Sequence, residues 1–382
     1  MMKEQVQKPR ALVIGGSLGG LFAANSLMQA GWAVDIFERS PSTLDSRGGG
    51  IVLQPQVVAA INHAGLDSTD PLGVLSRERV YLDRDGAVLQ SAVQPQTQTS
   101  WNTLYRRLVR GIPDARYHKG KRLVSYTQTG ATVVAKFADG TTEKGDLLVG
   151  ADGGDSTVRG LLMPEMAPTY SGYVVWRGLV PEADVSPETA RALSGKFVFQ
   201  HDPASLMLQY LVPGEDGSAR PGQRRFNWLW YLRAEKGTEL DAILTDRDGN
   251  ARRRSIPPGM LAEEQEQRFR CFAEHRVNPA FRELVQKTRE IFVQSIVDLA
   301  VPQMVFGRVI LLGDAAFIPR PHTAGSTAKA AENALALGAA LTARPDDIDA
   351  ALSRWERDQL ISGRLMSDWG VRMGNRLMGI TT

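Results

Sequence analysis

Short apolar runs separated by glycine turns organise the first part of the chain. Ala11 to Ile14 is apolar with no alternation, the pattern of a strand buried on both faces. Leu21 to Ala30 is apolar and rich in alanine, which predicts a helix, and Gly31 ends it. Ala33 to Phe37 predicts a second strand. Strand, glycine turn, helix and strand form the βαβ opening of a doubly wound sheet. Pro55 opens another predicted helix, with Val57, Val58 and Ile61 at helical spacing. Residues 75 to 98 read as strands turning at Asp85-Gly86, and Trp101 to Val109 as a helix. Thr132 to Phe137 with Ala138-Asp139-Gly140 and Thr141 reads as a hairpin. Asp146 to Val149 is a further buried strand entering a second glycine-rich turn.

The middle of the chain changes character. Between residues 170 and 235 aromatic and β-branched residues dominate: Tyr173 to Trp176, Phe197 to Phe199, Met207 to Val212 and Phe226 to Tyr231. That composition predicts an antiparallel sheet distinct from the α/β part. Residues 236 to 290 return to charged, helix-like sequence. Val309 to Leu312 is a last buried strand, followed by Gly313-Asp314 and an Ala-rich helix. Residues 346 to 376 are amphipathic and helical.

Composition narrows the function classes. With 382 residues, 43% of them hydrophobic, the chain can bury a sizeable core in one large or two ordinary domains. Its 45 basic and 42 acidic residues leave a net charge of +3, and no basic run stands out, so no nucleic-acid partner is expected. The single cysteine, Cys271, excludes an intrachain disulfide and fits a cytoplasmic location. Met1 to Arg10 lacks a signal-peptide apolar region. No stretch approaches the roughly 18 apolar residues of a membrane span. The 5 histidines are scattered without metal-ligand spacing, so no metal site is expected.

Candidate chemistry lies in three turns. In Gly15-Gly16-Ser17-Leu18-Gly19-Gly20, Gly15 and Gly20 fit the outer positions of a dinucleotide fingerprint, and Ser17 takes the place of the middle glycine. Glu38, closing the second strand, can accept hydrogen bonds from a ribose. The second turn is Ala151-Asp152-Gly153-Gly154-Asp155-Ser156-Thr157-Val158-Arg159. The third is Gly313-Asp314-Ala315-Ala316, running through Pro319-Arg320-Pro321-His322 to Ala324-Gly325-Ser326-Thr327. Taken alone, each of these two reads first as a structural turn. In order behind a dinucleotide turn, they can aim carboxylates and helix N-terminal amides at a polar ligand.

With these three motifs in order, the chain resembles the class A, single-component flavoprotein aromatic hydroxylases, which share the p-hydroxybenzoate hydroxylase fold. The resemblance covers nearly the whole chain. It is strengthened by Gly50-Ile51-Val52 with Gln54-Pro55, and by Tyr173 with Trp176-Arg177-Gly178. It implies a mixed α/β (α+β) architecture: a Rossmann-like FAD-binding domain from residues 1–72, 98–168 and 283–345, an inserted antiparallel-sheet substrate domain from 73–97 and 169–282, and a C-terminal helical segment, 346–382. The implied activity is FAD-dependent monooxygenation of a small electron-rich aromatic or N-heteroaromatic such as a hydroxypyridine. NAD(P)H would act as transient co-substrate, and O2 would be used through a C4a-hydroperoxyflavin. The absence of a second dinucleotide fingerprint agrees with transient nicotinamide binding. A homodimer is the family's expectation.

The resemblance also implies residue roles. Glu38 would hold the adenosine ribose, with Arg39 near the adenine and the Leu123 backbone against it. Gly15, Ser17, Leu18, Gly20 and Asp152 would surround the pyrophosphate, and Gly50 and Trp101 are further cofactor contacts. Asp314 would bind the ribityl chain, and Ala324, Gly325, Ser326 and Thr327 would face the flavin N1/O2 edge. Pro321 and His322 are the catalytic candidates between flavin and substrate; Gln54, Tyr210 and Trp176 are candidate substrate contacts. The chain departs from the family pattern at Phe317 (usually His), at Ala324-Gly325-Ser326 (usually Gly-Gln-Gly), at Asn333 (an acid) and at Trp101 (often Arg or Gln). Trp228-Leu229-Trp230 resembles the Trp-x-Trp of flavin halogenases, but Tyr231-Leu232 replaces Ile-Pro, and the stretch reads as alternating faces of a strand. An FAD oxidase or dehydrogenase of the same fold, and a non-catalytic flavin-binding sensor, remain as alternatives.

Overall fold

The computed structural model describes residues 8–44, 49–67 and 69–380. β1 (Arg10–Ile14) and β2 (Ala33–Glu38) flank α1 (Leu18–Gln29) and pair in parallel, Ile14 opposite Phe37. From this pair a six-stranded sheet extends in the order β17 (Val305–Phe306), β18 (Val309–Leu311), β10 (Leu147–Gly150), β1, β2, β6 (Tyr117–Lys119). Only β17 runs antiparallel to its neighbour. Ala11, Leu12 and Val13 have no exposed surface, which is why β1 shows no polar alternation. α1 is buried from Gly20 to Leu27, so its sequence is apolar all round rather than on one stripe. A meander of β7 (Leu123–Thr129), β8 (Thr132–Phe137) and β9 (Thr142–Gly145) realises the expected hairpin. α2 (Pro55–His63), α3 (Trp101–Val109) and α9 (Ser326–Ala343) pack around α1.

The second sheet runs β15 (Ser255–Ile256), β16 (Phe292–Ala300), β11 (Thr169–Pro181), β14 (Arg225–Arg233), β13 (Ser205–Val212), β12 (Lys196–Asp202), β4 (Val74–Leu82), β5 (Val88–Ser100), β3 (Gly50–Val52). It is antiparallel except where β12 meets β4. β19 (Phe317–Ile318) adds to the end of β16 and so ties the third glycine turn to this sheet. The domain expectation differs here. Residues 50–52 and 292–300, assigned to the first domain, are strands of the second sheet, because their β-branched runs carry no mark of the sheet they will join.

The outer face of this sheet is covered by α5 (Pro187–Leu193), α6 (Thr238–Ile243), α7 (Glu263–Glu274) and α8 (Pro279–Lys287). Trp228 and Trp230 both point to this side, donating to Thr288 Oγ1 at 2.8 Å and Ser205 Oγ at 2.9 Å. Their buried indoles are therefore structural. The inner face looks toward the first sheet and toward α10 (Ile348–Met378). Gly363 and Gly374 let α10 come close: a Cβ at Gly363 would lie 2.5 Å from the Phe317 ring, and one at Gly374 would lie 2.6 Å from the Tyr173 hydroxyl. No helix among the described residues is long and apolar enough to cross a membrane.

Candidate active site

An open cleft of about 710 Å³ runs between the two sheets, within the usual size for a cofactor site. At one end β1 turns at Gly15, whose φ of +105° only glycine adopts freely. A Cβ at Gly20 would meet the Gly15 carbonyl at 1.8 Å, so this glycine seats α1 on the turn. Ser17 precedes α1 without capping it by its side chain, and it lines the cleft with Leu18. Glu38 binds backbone on both oxygens, accepting from Gly16 N and Ser40 N at 2.8 Å each. Sequence reasoning missed the partner that closes this turn: Tyr117 Oη donates to the Gly16 carbonyl at 2.9 Å. Burial raises the Tyr117 pKa, so it stays a donor.

The second turn builds the cleft's wall. Asp152 accepts from Ser156 Oγ and from Thr157 N at 2.6 Å, so its carboxylate caps α4 (Thr157–Leu162). Arg159 lies in the first turn of α4, just past this motif's capping serine. Buried, it donates to the Ala315 carbonyl at 3.0 Å and the Gly154 carbonyl at 2.6 Å, tying the second turn to the third.

In the third turn Gly313 takes a φ of +63°, and its N–H donates to Asn333 Oδ1 at 3.1 Å. Asn333 also donates to Gln359 Oε1 of α10 at 2.7 Å. The Asn333 amide thus accepts from the third turn and donates to α10. Phe317 fills the space left by Gly363. Asp314 lines the cleft and accepts from Ser326 Oγ at 2.6 Å. Ala324 is left-handed at φ +51°, and α9 starts behind it, with Ser326 and Thr327 on the cleft.

The cleft therefore gathers Gly15, Ser17, Leu18, Glu38, Arg39, Trp101, Leu123, Asp152, Asp314, Pro321, Ser326 and Thr327. It does not gather Gly20, Gly50, Ala324 or Gly325, which shape it from behind. Gly50 donates to Asn227 Oδ1 at 2.8 Å, and a Cβ there would lie 2.5 Å from the Tyr210 ring. Gln54 precedes α2 and is absent from the cleft wall.

Trp176 is corrected. It faces the outer side, stacked on Phe269 with ring centroids 4.2 Å apart. Its neighbour Arg177 faces the cleft because side chains alternate along β11. Arg177 Nη1 donates to Gln294 Oε1 at 3.1 Å, while its buried Nε has no partner among the described residues.

Beyond Pro321 the inner face carries an aromatic cluster. His322 Nε2 lies 3.1 Å from Tyr173 Oη, and the Tyr231 ring lies 4.5 Å from the imidazole. Burial and the nearby Arg320 hold the His322 pKa down at about 4, so the ring is neutral at pH 7 and can accept a hydrogen bond. Arg320 is itself held by Asp298 at 2.7 and 2.8 Å and by Asn375 of α10 at 2.7 Å. Tyr210 packs edge-on against Phe197, and burial pushes its pKa up to about 12.

The sequence profile of the FAD binding domain-like family matches residues 170–298. The 2,6-dihydroxypyridine 3-monooxygenase of Paenarthrobacter nicotinovorans is 35% identical over 369 residues, covering 96% of this chain and 91% of that protein. The 6-hydroxynicotinate 3-monooxygenase of Pseudomonas fluorescens is 29% identical, covering 88% of this chain and 83% of that protein. Among solved structures, the 2,6-dihydroxypyridine-3-hydroxylase of Arthrobacter nicotinovorans superposes with a TM-score of 0.91 at 34% identity, covering 98% of this chain and 94% of that one. The chain belongs to the class A flavin hydroxylases: it is an enzyme, an FAD-dependent aromatic monooxygenase. FAD is its cofactor.

Proposed function

We propose that the chain hydroxylates a small hydroxypyridine, or a similar electron-rich N-heteroaromatic, with NAD(P)H as reductant. The net reaction is ring C–H + O2 + NAD(P)H + H⁺ → ring C–OH + NAD(P)⁺ + H2O. The observation that carries the reading is a cleft lined by all three glycine turns, with the buried Tyr173–His322 pair beginning one residue past its Pro321 wall.

The residues fit FAD. Amides at the start of α1 suit a pyrophosphate, and Glu38 keeps lone pairs free for ribose hydroxyls. Asp314 would hold the ribityl hydroxyls, and Ser326 and Thr327, which open α9 on the cleft, would contact the flavin ring. Arg177 lines the cleft, and its guanidinium suits a cofactor or substrate oxygen. When bound, FAD accepts hydride from NAD(P)H and, once reduced, activates O2.

The chain's own side chains bind and orient the substrate. His322, neutral at pH 7, accepts a hydrogen bond from a substrate hydroxyl, which makes the ring more electron-rich. Tyr173, itself packed under the Arg320 guanidinium, holds the imidazole in place. The inner face of Val52, Val175, Leu208, Leu229 and Ile296 excludes water.

The test supplies FAD-loaded protein with hydroxypyridines and hydroxybenzoates while NAD(P)H oxidation, O2 uptake and product are followed. A hydroxypyridine that speeds NAD(P)H use and yields hydroxylated product in near-equal amount supports the proposal. Turnover confined to hydroxybenzoates moves the substrate to another ring class.

A further inference from the structure

Lys329 is the buried charge that the reaction above leaves unexplained. It lies in the first turn of α9 with only 1% of its surface exposed, and no other lysine among the described residues is buried. Its Nζ donates to the Phe317 carbonyl and lies 3.4 Å from Asp314 Oδ1. Asp314 accepts its shorter bond, 2.6 Å, from Ser326 Oγ. The ammonium is thus only loosely matched by a carboxylate that itself faces the cleft.

This arrangement is unfavourable for folding alone. A buried ammonium without a tight counterion is expensive, and a methionine would fill similar volume without that penalty. The α9 N-terminus already carries a partial positive charge, and Lys329 adds a like charge inside the same turn. Burial lowers the Lys329 pKa, and Asp314 counters it. Buried charges held against such costs cluster at functional sites.

We propose that Lys329 tunes the bound flavin electrostatically: its buried ammonium reinforces the positive end of α9 and favours the reduced, anionic ring over the oxidised, neutral one. Lys329 does not line the cleft, so it acts through the field it sets and through Asp314, as a positioning residue. The idea rests on the placement of the flavin at the start of α9 given above.

The test measures the midpoint potential of FAD-loaded protein together with its affinity for oxidised FAD. In K329M, affinity for reduced flavin should fall about tenfold more than affinity for oxidised flavin, which lowers a two-electron potential by about 30 mV. K329R, which keeps the charge, should stay near the parent value. K329Q retains a polar partner for the Phe317 carbonyl and carries the test if K329M does not fold. A merely structural Lys329 would weaken both redox states alike, so an unchanged potential in a neutral variant overturns the proposal. D314N separates the two layers of the argument. If D314N weakens FAD binding while K329M leaves the potential unchanged, the Lys329 idea fails alone. If D314N binds FAD as tightly as the parent, the flavin is not where we place it, and both fail.

Discussion

The cleft between the sheets and the inner face of the large sheet meet at Pro321, yet they are built from different materials. The cleft is made mainly of backbone: three glycines of positive φ (Gly15, Gly153 and Gly313), the first turns of α1, α4 and α9, and carboxylates bonded to amides or to a first-turn serine. The inner face is made of side chains on strands, where Tyr173, Tyr210, Tyr231 and Arg177 differ from their neighbours only in what they carry. Backbone sites tolerate sequence change so long as the turn survives. Side-chain sites change their chemistry with a single substitution, which is how one fold serves many substrates.

The sharpest way to break this contrast is Gly20→Ala. Its methyl group would overlap the Gly15 carbonyl, so we expect FAD binding to be lost; purified protein without yellow colour, and no quenching of FAD fluorescence, would show it. Trp176→Ala should act in the opposite sense. Emptying the stack on Phe269 should cost about 3–5 kcal/mol in denaturant unfolding, with FAD affinity and KM nearly unchanged. A raised KM instead would return Trp176 to the substrate site.

Acid should act through His322. Its folded pKa of about 4 lies below the ordinary value of 6.5. Between those values the unfolded chain takes up a proton that the folded chain refuses, so stability falls as pH drops from 6.5 toward 4. The loss from this group is at most about 3 kcal/mol, less what solvent screening removes. Unfolding curves of His322→Gln should be flatter across that window than those of the parent.

Tyr173→Phe should have the smallest effect. It removes the hydroxyl beside His322 Nε2, and kcat/KM should fall about tenfold, roughly 1.4 kcal/mol, with the FAD dissociation constant unchanged. A parallel loss of FAD affinity would mean that the two regions are not separable.

The same contrast explains what could be read in advance. Glycine and aspartate turns announce backbone geometry, so the βαβ opening, the three turns, the hairpin and the long last helix were legible, and so was most of the cleft wall. The inner face was not. All eight residues of β13 are buried, and β14 is buried from Arg225 to Tyr231, so no polar alternation marks which side faces the cleft. Trp176 and Arg177 were therefore indistinguishable, and the orientation was settled only by which side α7 covers. Contacts that need distant partners were equally hidden: Tyr117 on Gly16, Arg159 across two turns, and Asn333 on Gln359.

The most direct test of the central claim is turnover under ¹⁸O2 with a hydroxypyridine that accelerates NAD(P)H oxidation. The account predicts one labelled oxygen on the ring for each product molecule, the other leaving as water, with little peroxide. A product oxygen that comes from solvent, or quantitative hydrogen peroxide without ring hydroxylation for every accelerating compound, would contradict it.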